Sequence, residues 1–126
     1  MDELRIEHTD DSPEVILKPA EGLLAISGKS LPEDVVDFYQ PVLDWLAEYR
    51  KNPSESTILQ LKLHYFNTAS SKLILDILMI LEEMAEEGRK VLVKWLSLES
   101  DEDMQEAGQE YEEMVEVPFE HLTYEK

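Results

Sequence analysis

Leu59-Gln60-Leu61-Lys62-Leu63-His64-Tyr65-Phe66-Asn67-Thr68-Ala69-Ser70-Ser71-Lys72 alternates apolar and polar residues as far as Tyr65, then passes into a cluster of small polar residues. Period-two alternation puts Leu59, Leu61, Leu63 and Tyr65 on one face of a strand and Gln60, Lys62 and His64 on the other. That is the pattern of a sheet covered on one side only. From Ser70 to Glu87 the spacing predicts a helix, and Gly88 stands where a left-handed C-cap belongs. A strand running straight into a helix points to an α/β chain.

Outward from this junction, Leu4–His8, Glu14–Lys18 and Leu23–Gly28 read as three strands separated by the turn signals Thr9–Pro13 and Pro19–Gly22. An antiparallel meander is expected there. Ser30-Leu31-Pro32-Glu33 matches a capping box with Ser30 as N-cap. The helix it opens carries the stripe Val35, Phe38, Tyr39, Val42, Leu46 and Tyr49, with Pro41 expected to kink it. Beyond Gly88, Val91–Leu96 reads as a strand. The acid-rich Glu99–Glu113 has only a thin apolar stripe of Met104, Ala107, Tyr111 and Met114 and is expected to be a marginal, solvated helix. Val115–Leu122 closes the chain as a strand that Pro118 restricts to an edge or a bulge. The order β-β-β-α-β-α-β-α-β predicts one α/β domain over 1–126, a mixed sheet with its helices packed mainly on one face. At the level of fold this resembles the anti-sigma-factor-antagonist (STAS) domains.

Composition narrows function by exclusion. With 126 residues, 43% of them apolar, the chain can bury one core of ordinary size. Eleven basic against 29 acidic residues leave a net charge of −18, which repels nucleic-acid backbones and anionic lipid surfaces. No cysteine is present, so thiolate catalysis, Cys-ligated zinc and disulfides are out, and a cytoplasmic setting is the expectation. The acidic start Met1–Arg5 has no apolar run of signal type, and Leu73–Leu81, interrupted by Asp76, is too short to span a bilayer.

The junction Asn67-Thr68-Ala69-Ser70-Ser71 has two compatible readings. Asn, Thr or Ser here is what any helix uses as an N-cap. A hydroxyl at this place also lies at the positive end of the helix dipole, where an added phosphate is accommodated, with His64 and Lys72 as nearby partners. The helix that follows is apolar on nearly every face. It fits a central buried helix, or one that turns Ile74 and Leu78, or Leu75 and Met79, to a partner. Other constellations are thin. Asp10-Asp11 and Glu99–Asp103 lack the glycine and terminal glutamate of a calcium loop, so no metal is expected. His8, His64 and His121 lie far apart in the chain with no nucleophile motif, and Gly22, Gly28, Gly88 and Gly108 form no phosphate loop. An enzyme would have to be built on carboxylates such as Asp10, Asp11 or Glu14 converging on a pocket.

Several segments together are similar to the SiaC family of bacterial regulatory phosphoproteins. They are Leu4–Pro19 with Asp10-Asp11-Ser12-Pro13-Glu14, Pro32-Glu33-Asp34 through Tyr39-Gln40-Pro41 to Trp45-Leu46, Tyr65–Lys72, and Val117-Pro118-Phe119-Glu120. The resemblance covers essentially the whole chain. It implies a protein without an active site or cofactor, which works as one member of a partner switch. A dedicated serine/threonine kinase phosphorylates the threonine matching Thr68, and a PP2C-type phosphatase removes the phosphate. Unphosphorylated, such a protein binds and activates a diguanylate cyclase, raising cyclic di-GMP and promoting aggregation and biofilm formation. Phosphorylation releases it. Asn67, Ala69, Ser70, Ser71 and Lys72 are the candidates for kinase or partner recognition, and since Ser70 and Ser71 are close rivals as acceptors, the choice of Thr68 rests on the resemblance. Capture of an anti-sigma kinase instead of a cyclase is the alternative within the binding class.

Overall fold

The computed structural model describes residues 1–125. Its elements run β1 (Leu4–Ile6), β2 (Glu14–Lys18), β3 (Leu23–Ser30), α1 (Val35–Tyr49), β4 (Ser56–Phe66), α2 (Thr68–Glu86), β5 (Lys90–Leu98), α3 (Glu102–Met114) and β6 (Phe119–Tyr124). The six strands form one sheet in chain order. β1, β2 and β3 pair antiparallel, as the turn-separated meander requires, and β3 to β6 pair parallel. Each parallel step carries a helix. Right-handed crossovers that all advance in one direction put every helix on the same face, so the mixed sheet with helices on one side is realised.

The core lies between that face and the helices. Val15, Leu17, Leu24, Ile26, Leu59, Leu61, Leu63, Val93 and Trp95 project from alternate strand positions to meet Tyr39, Val42, Leu46 and Tyr49 of α1 and Ile74, Ile77, Leu78, Leu81 and Met84 of α2. Ile74 and Leu78, candidates for a partner surface, are thus core residues. Leu75 is half-buried and Met79 is exposed. Among the described residues no helix is long and apolar enough to cross a membrane.

Four local expectations are corrected. Ser30 does not cap α1. It is the last residue of β3 and fully buried, and the cap is Asp34, whose carboxylate accepts from the Asp37 N–H at 3.1 Å. Ser30 is held inside by a better set of partners. Its Oγ–H donates to Ser70 Oγ (2.9 Å), so the Tyr39 hydroxyl 2.6 Å away must be a donor to it, and Ser70 Oγ–H returns to the Ser30 carbonyl (2.9 Å). Pro41 lies inside α1, on the exposed side where its missing N–H is least costly.

Tyr65 is 55% exposed and does not join the leucine face. The pairing Gly28↔Leu63 is followed by Lys29↔Tyr65, so β4 carries one extra residue, His64, at this bulge. One added residue reverses the alternation, and Phe66 inherits the helix-facing position opposite buried Ser30. Finally, α3 is not marginal. Met104, Gly108 and Tyr111 are buried, and Trp95 Nε1 donates to the Met104 carbonyl at 2.8 Å. Gly108, which weakens a helix by propensity, is what lets α3 approach the indole. A Cβ there would lie 2.5 Å from Trp95 Cδ1. The last strand begins at Phe119, later than expected, while Val115 and Val117 are buried in the approach to it.

Candidate functional site

The bulge in β4 sets the geometry of the junction. Phe66 turns toward the helices, where its ring lies 6.5 Å from that of Trp95 and 6.3 Å from that of Tyr111. The chain then leaves the sheet through Asn67, which adopts an extended conformation (φ −87°, ψ 171°) and caps α2 by accepting the Ser70 N–H on Oδ1 at 2.8 Å. Asn67 is therefore the N-cap and Thr68 the first helical residue, two positions earlier than the periodicity alone predicted.

This register sorts the three hydroxyls. Ser70 is fully buried in the hydrogen-bonded chain with Ser30 and Tyr39, and burial raises the Tyr39 phenol above its ordinary pKa. Ser71 is half-buried, and its Oγ donates to the Thr68 carbonyl at 2.6 Å. Thr68 is exposed, and its Oγ has no hydrogen bond among the described residues. Ala69 beside it and Lys72 one turn further are exposed as well. No acidic side chain occupies the first turn of α2, so no carboxylate of the helix itself offsets its positive end.

Thr68 also stands on the rim of a groove of about 340 Å³ between α2 and α3, floored by Phe66, Leu75, Ala107 and Tyr111. Lys72 and Glu110 are its charged lining residues, and Met114, 57% exposed, closes one end. The far wall is tied to the near one. Tyr111 donates its hydroxyl hydrogen to the Ser71 carbonyl at 2.9 Å, and burial pushes its phenol well up from its ordinary pKa. The junction is visible in the sequence but this groove is not, because Phe66, Ala107 and Tyr111 lie far apart in the chain and come together only in the packed fold. The one signal for it was Gly108, a residue that earns its place in a helix by close approach.

On the other side of the sheet, Asp10 and Glu14 line a shallow cleft of about 410 Å³ with His8, His64, Lys29 and Lys62, and Asp11 does not. Of the hydroxyls in its lining, Thr9 and Ser12 are bonded to one another at 2.6 Å. His121 is elsewhere, 2.9 Å from Glu112.

Comparison with known proteins matches residues 6–124 to the family model described as SiaC family regulatory phosphoprotein. An uncharacterized protein of Pseudomonas aeruginosa strain UCBPP-PA14 is 32% identical over 119 residues, 94% of each chain. SiaC of Pseudomonas aeruginosa superposes with a TM-score of 0.90 at 29% identity, covering 98% of this chain and 100% of that one. A crystal structure of the diguanylate cyclase SiaD in complex with its activator SiaC, from the same organism, gives a TM-score of 0.92 at 30% identity over 96% of this chain and 99% of that one.

Proposed function

The chain belongs to the SiaC family of regulatory phosphoproteins, and on that footing we propose that it is the activator in a cytoplasmic partner switch. Unphosphorylated, it binds and activates a diguanylate cyclase of the SiaD kind, raising cyclic di-GMP and promoting aggregation and biofilm formation. A serine/threonine kinase phosphorylates Thr68 and a PP2C-type phosphatase reverses the reaction. The protein itself turns over no substrate; its effect is on its partner.

The observation that carries this is the sorting of the junction. Of Thr68, Ser70 and Ser71, only Thr68 is exposed, unbonded at Oγ and set where the helix dipole favours an anion. A phosphate there adds close to two negative charges. With Lys72 one turn away and no acid in the first turn, the helix end holds that charge without refolding, so phosphorylation acts by spoiling a contact. Asn67 fixes the geometry as cap, Ala69 and Lys72 face the kinase, and Ser71 stands beside the acceptor.

The test joins two assays. Wild-type protein, Thr68→Ala and Thr68→Glu are incubated with kinase and ATP and mapped by mass spectrometry, and cyclic di-GMP synthesis by the cyclase is then followed with each. The expected result is phosphate on wild type alone, with wild type and Thr68→Ala activating and Thr68→Glu inert. Equal labelling of Thr68→Ala, or equal activation by Thr68→Glu, would sink the proposal.

A further inference from the structure

We infer that the groove between α2 and α3 seats a segment of the cyclase that bears one apolar side chain, with basic residues on the side that faces α3. The inference rests on the partner-switch reading and adds to it the surface and the chemistry of the contact.

Three observations carry it. First, the groove beside Thr68 continues past Phe66 and Ala107 into a second hollow of about 240 Å³ that reaches Tyr65. Its two ends are marked by Met114 and Tyr65, at 57% and 55% exposure two of only six large hydrophobic residues exposed among the described residues. An apolar floor between two exposed apolar ends is a surface that gains by being covered.

Second, the walls differ in charge. On the α3 side, Asp103 and Glu110 line the hollows and Glu106 and Glu113 stand exposed beside them. The α2 side offers Asn67, Thr68 and Ser71, with Lys72 its one charge. An occupant that spans the groove therefore meets a strongly acidic wall, which selects Lys or Arg, and a polar wall whose single charge is the Lys72 ammonium, against which it must carry no positive charge.

Third, that asymmetry makes Thr68 a sensor. The acidic wall supplies attraction and is not changed by phosphorylation. The α2 wall, which carries one positive charge, gains close to two negative ones, and a phosphate pressed against the uncharged side of the occupant loses hydration with Lys72 as its only cation in the groove among the described residues.

The experiment measures affinity by calorimetry between this protein and the purified, full-length diguanylate cyclase of its own organism, at low and high salt. The variants are Met114→Asp, Glu110→Lys, Thr68→Glu and, as a control on an exposed apolar residue of α2 outside the groove, Met79→Asp. Thermal melts establish that each is folded. Met114→Asp and Glu110→Lys are each expected to weaken binding about tenfold or more, the Glu110→Lys loss shrinking at high salt, with Met79→Asp unchanged. If both groove variants bind like wild type while Thr68→Glu does not, the switch stands and the groove is overturned, as it also is if Met79→Asp is the variant that fails. A cyclase that loses Met114→Asp but accepts Thr68→Glu keeps the groove and overturns the switch.

Discussion

Replacing Gly108 with alanine tests the packing that builds the groove. By helix propensity alone the change stabilises α3 by about 1 kcal/mol. The structure reverses that sign. The new Cβ would sit 2.5 Å from Cδ1, 2.6 Å from Nε1 and 2.7 Å from Cγ of Trp95, all atoms of a rigid indole that is 1% exposed. Ordinary carbon contact begins at about 3.5 Å, so α3 and the indole must part by about 1 Å. The indole cannot swing aside, because its N–H is bonded to the Met104 carbonyl and its ring is flanked by Phe66 and Tyr111. Overpacking costs about 1–3 kcal/mol, and with the indole unable to move this site falls in the upper half of that range, about 2–3 kcal/mol, which outweighs the propensity gain. Urea denaturation followed by tryptophan fluorescence should show a net loss of about 1–2 kcal/mol. The retreat of α3 should also stretch the Tyr111–Ser71 bond and weaken cyclase binding. Gly88→Ala is the companion: φ is +89° with nothing within 4 Å, so it should cost about 1 kcal/mol through backbone strain and leave binding untouched. A Gly108→Ala protein as stable as wild type would refute the account of α3.

Further outcomes follow from the same geometry. Ser70→Ala removes the acceptor of Ser30 Oγ and a donor to the Ser30 carbonyl, and should lower stability by about 1–3 kcal/mol with Thr68 still phosphorylated, as read by urea melts and mass spectrometry. Asn67→Ala strips the cap from α2 and should cost about 1 kcal/mol; Asn67→Asp, which keeps the acceptor, should restore most of it. Tyr39 and Tyr111 both have phenol pKa values raised by burial, so the folded state holds those protons after the unfolded chain has released them. Their contribution is complete below the unfolded value of about 10 and falls as pH rises above it, by at most about 1.4 kcal/mol per pH unit for each group. Alkaline urea titration should show that slope, and Tyr111→Phe should reduce it.

Much of the architecture is legible in the chain. Period-two runs, turn residues between them and one helix per later strand specify a mixed sheet covered on one side. The misreadings share a cause. Ser30 has every mark of an N-cap, but a serine at the end of a buried strand finds better partners in Tyr39 and Ser70, 9 and 40 residues away. Tyr65 continues the alternation of Leu59, Leu61 and Leu63, and only the pairing with Lys29 reveals that the count slips by one. α3 looks too polar to hold because its strongest attachment is a glycine pressed on an indole. The candidate site divides the same way. The hydroxyl cluster stands in the sequence, whereas the sorting of Thr68 from Ser70 depends on which side of the helix faces Ser30.

The order of the strands in the sheet, identical to their order along the chain, bears on how the molecule comes into being. Each strand pairs with its neighbour in the chain, so no closure has to span the length of the polypeptide, but every parallel step, such as Leu24 with Leu59 or Leu59 with Val93, closes over a whole helix and is the slow part of assembly. α3, which completes the groove, and β6, which adds the edge strand beside β5, are the last to emerge and dock on a sheet that already exists. They are consequently the part that can loosen at least cost to the remainder, and amide exchange should find α3 and β6 the first region to open, ahead of β2 to β4.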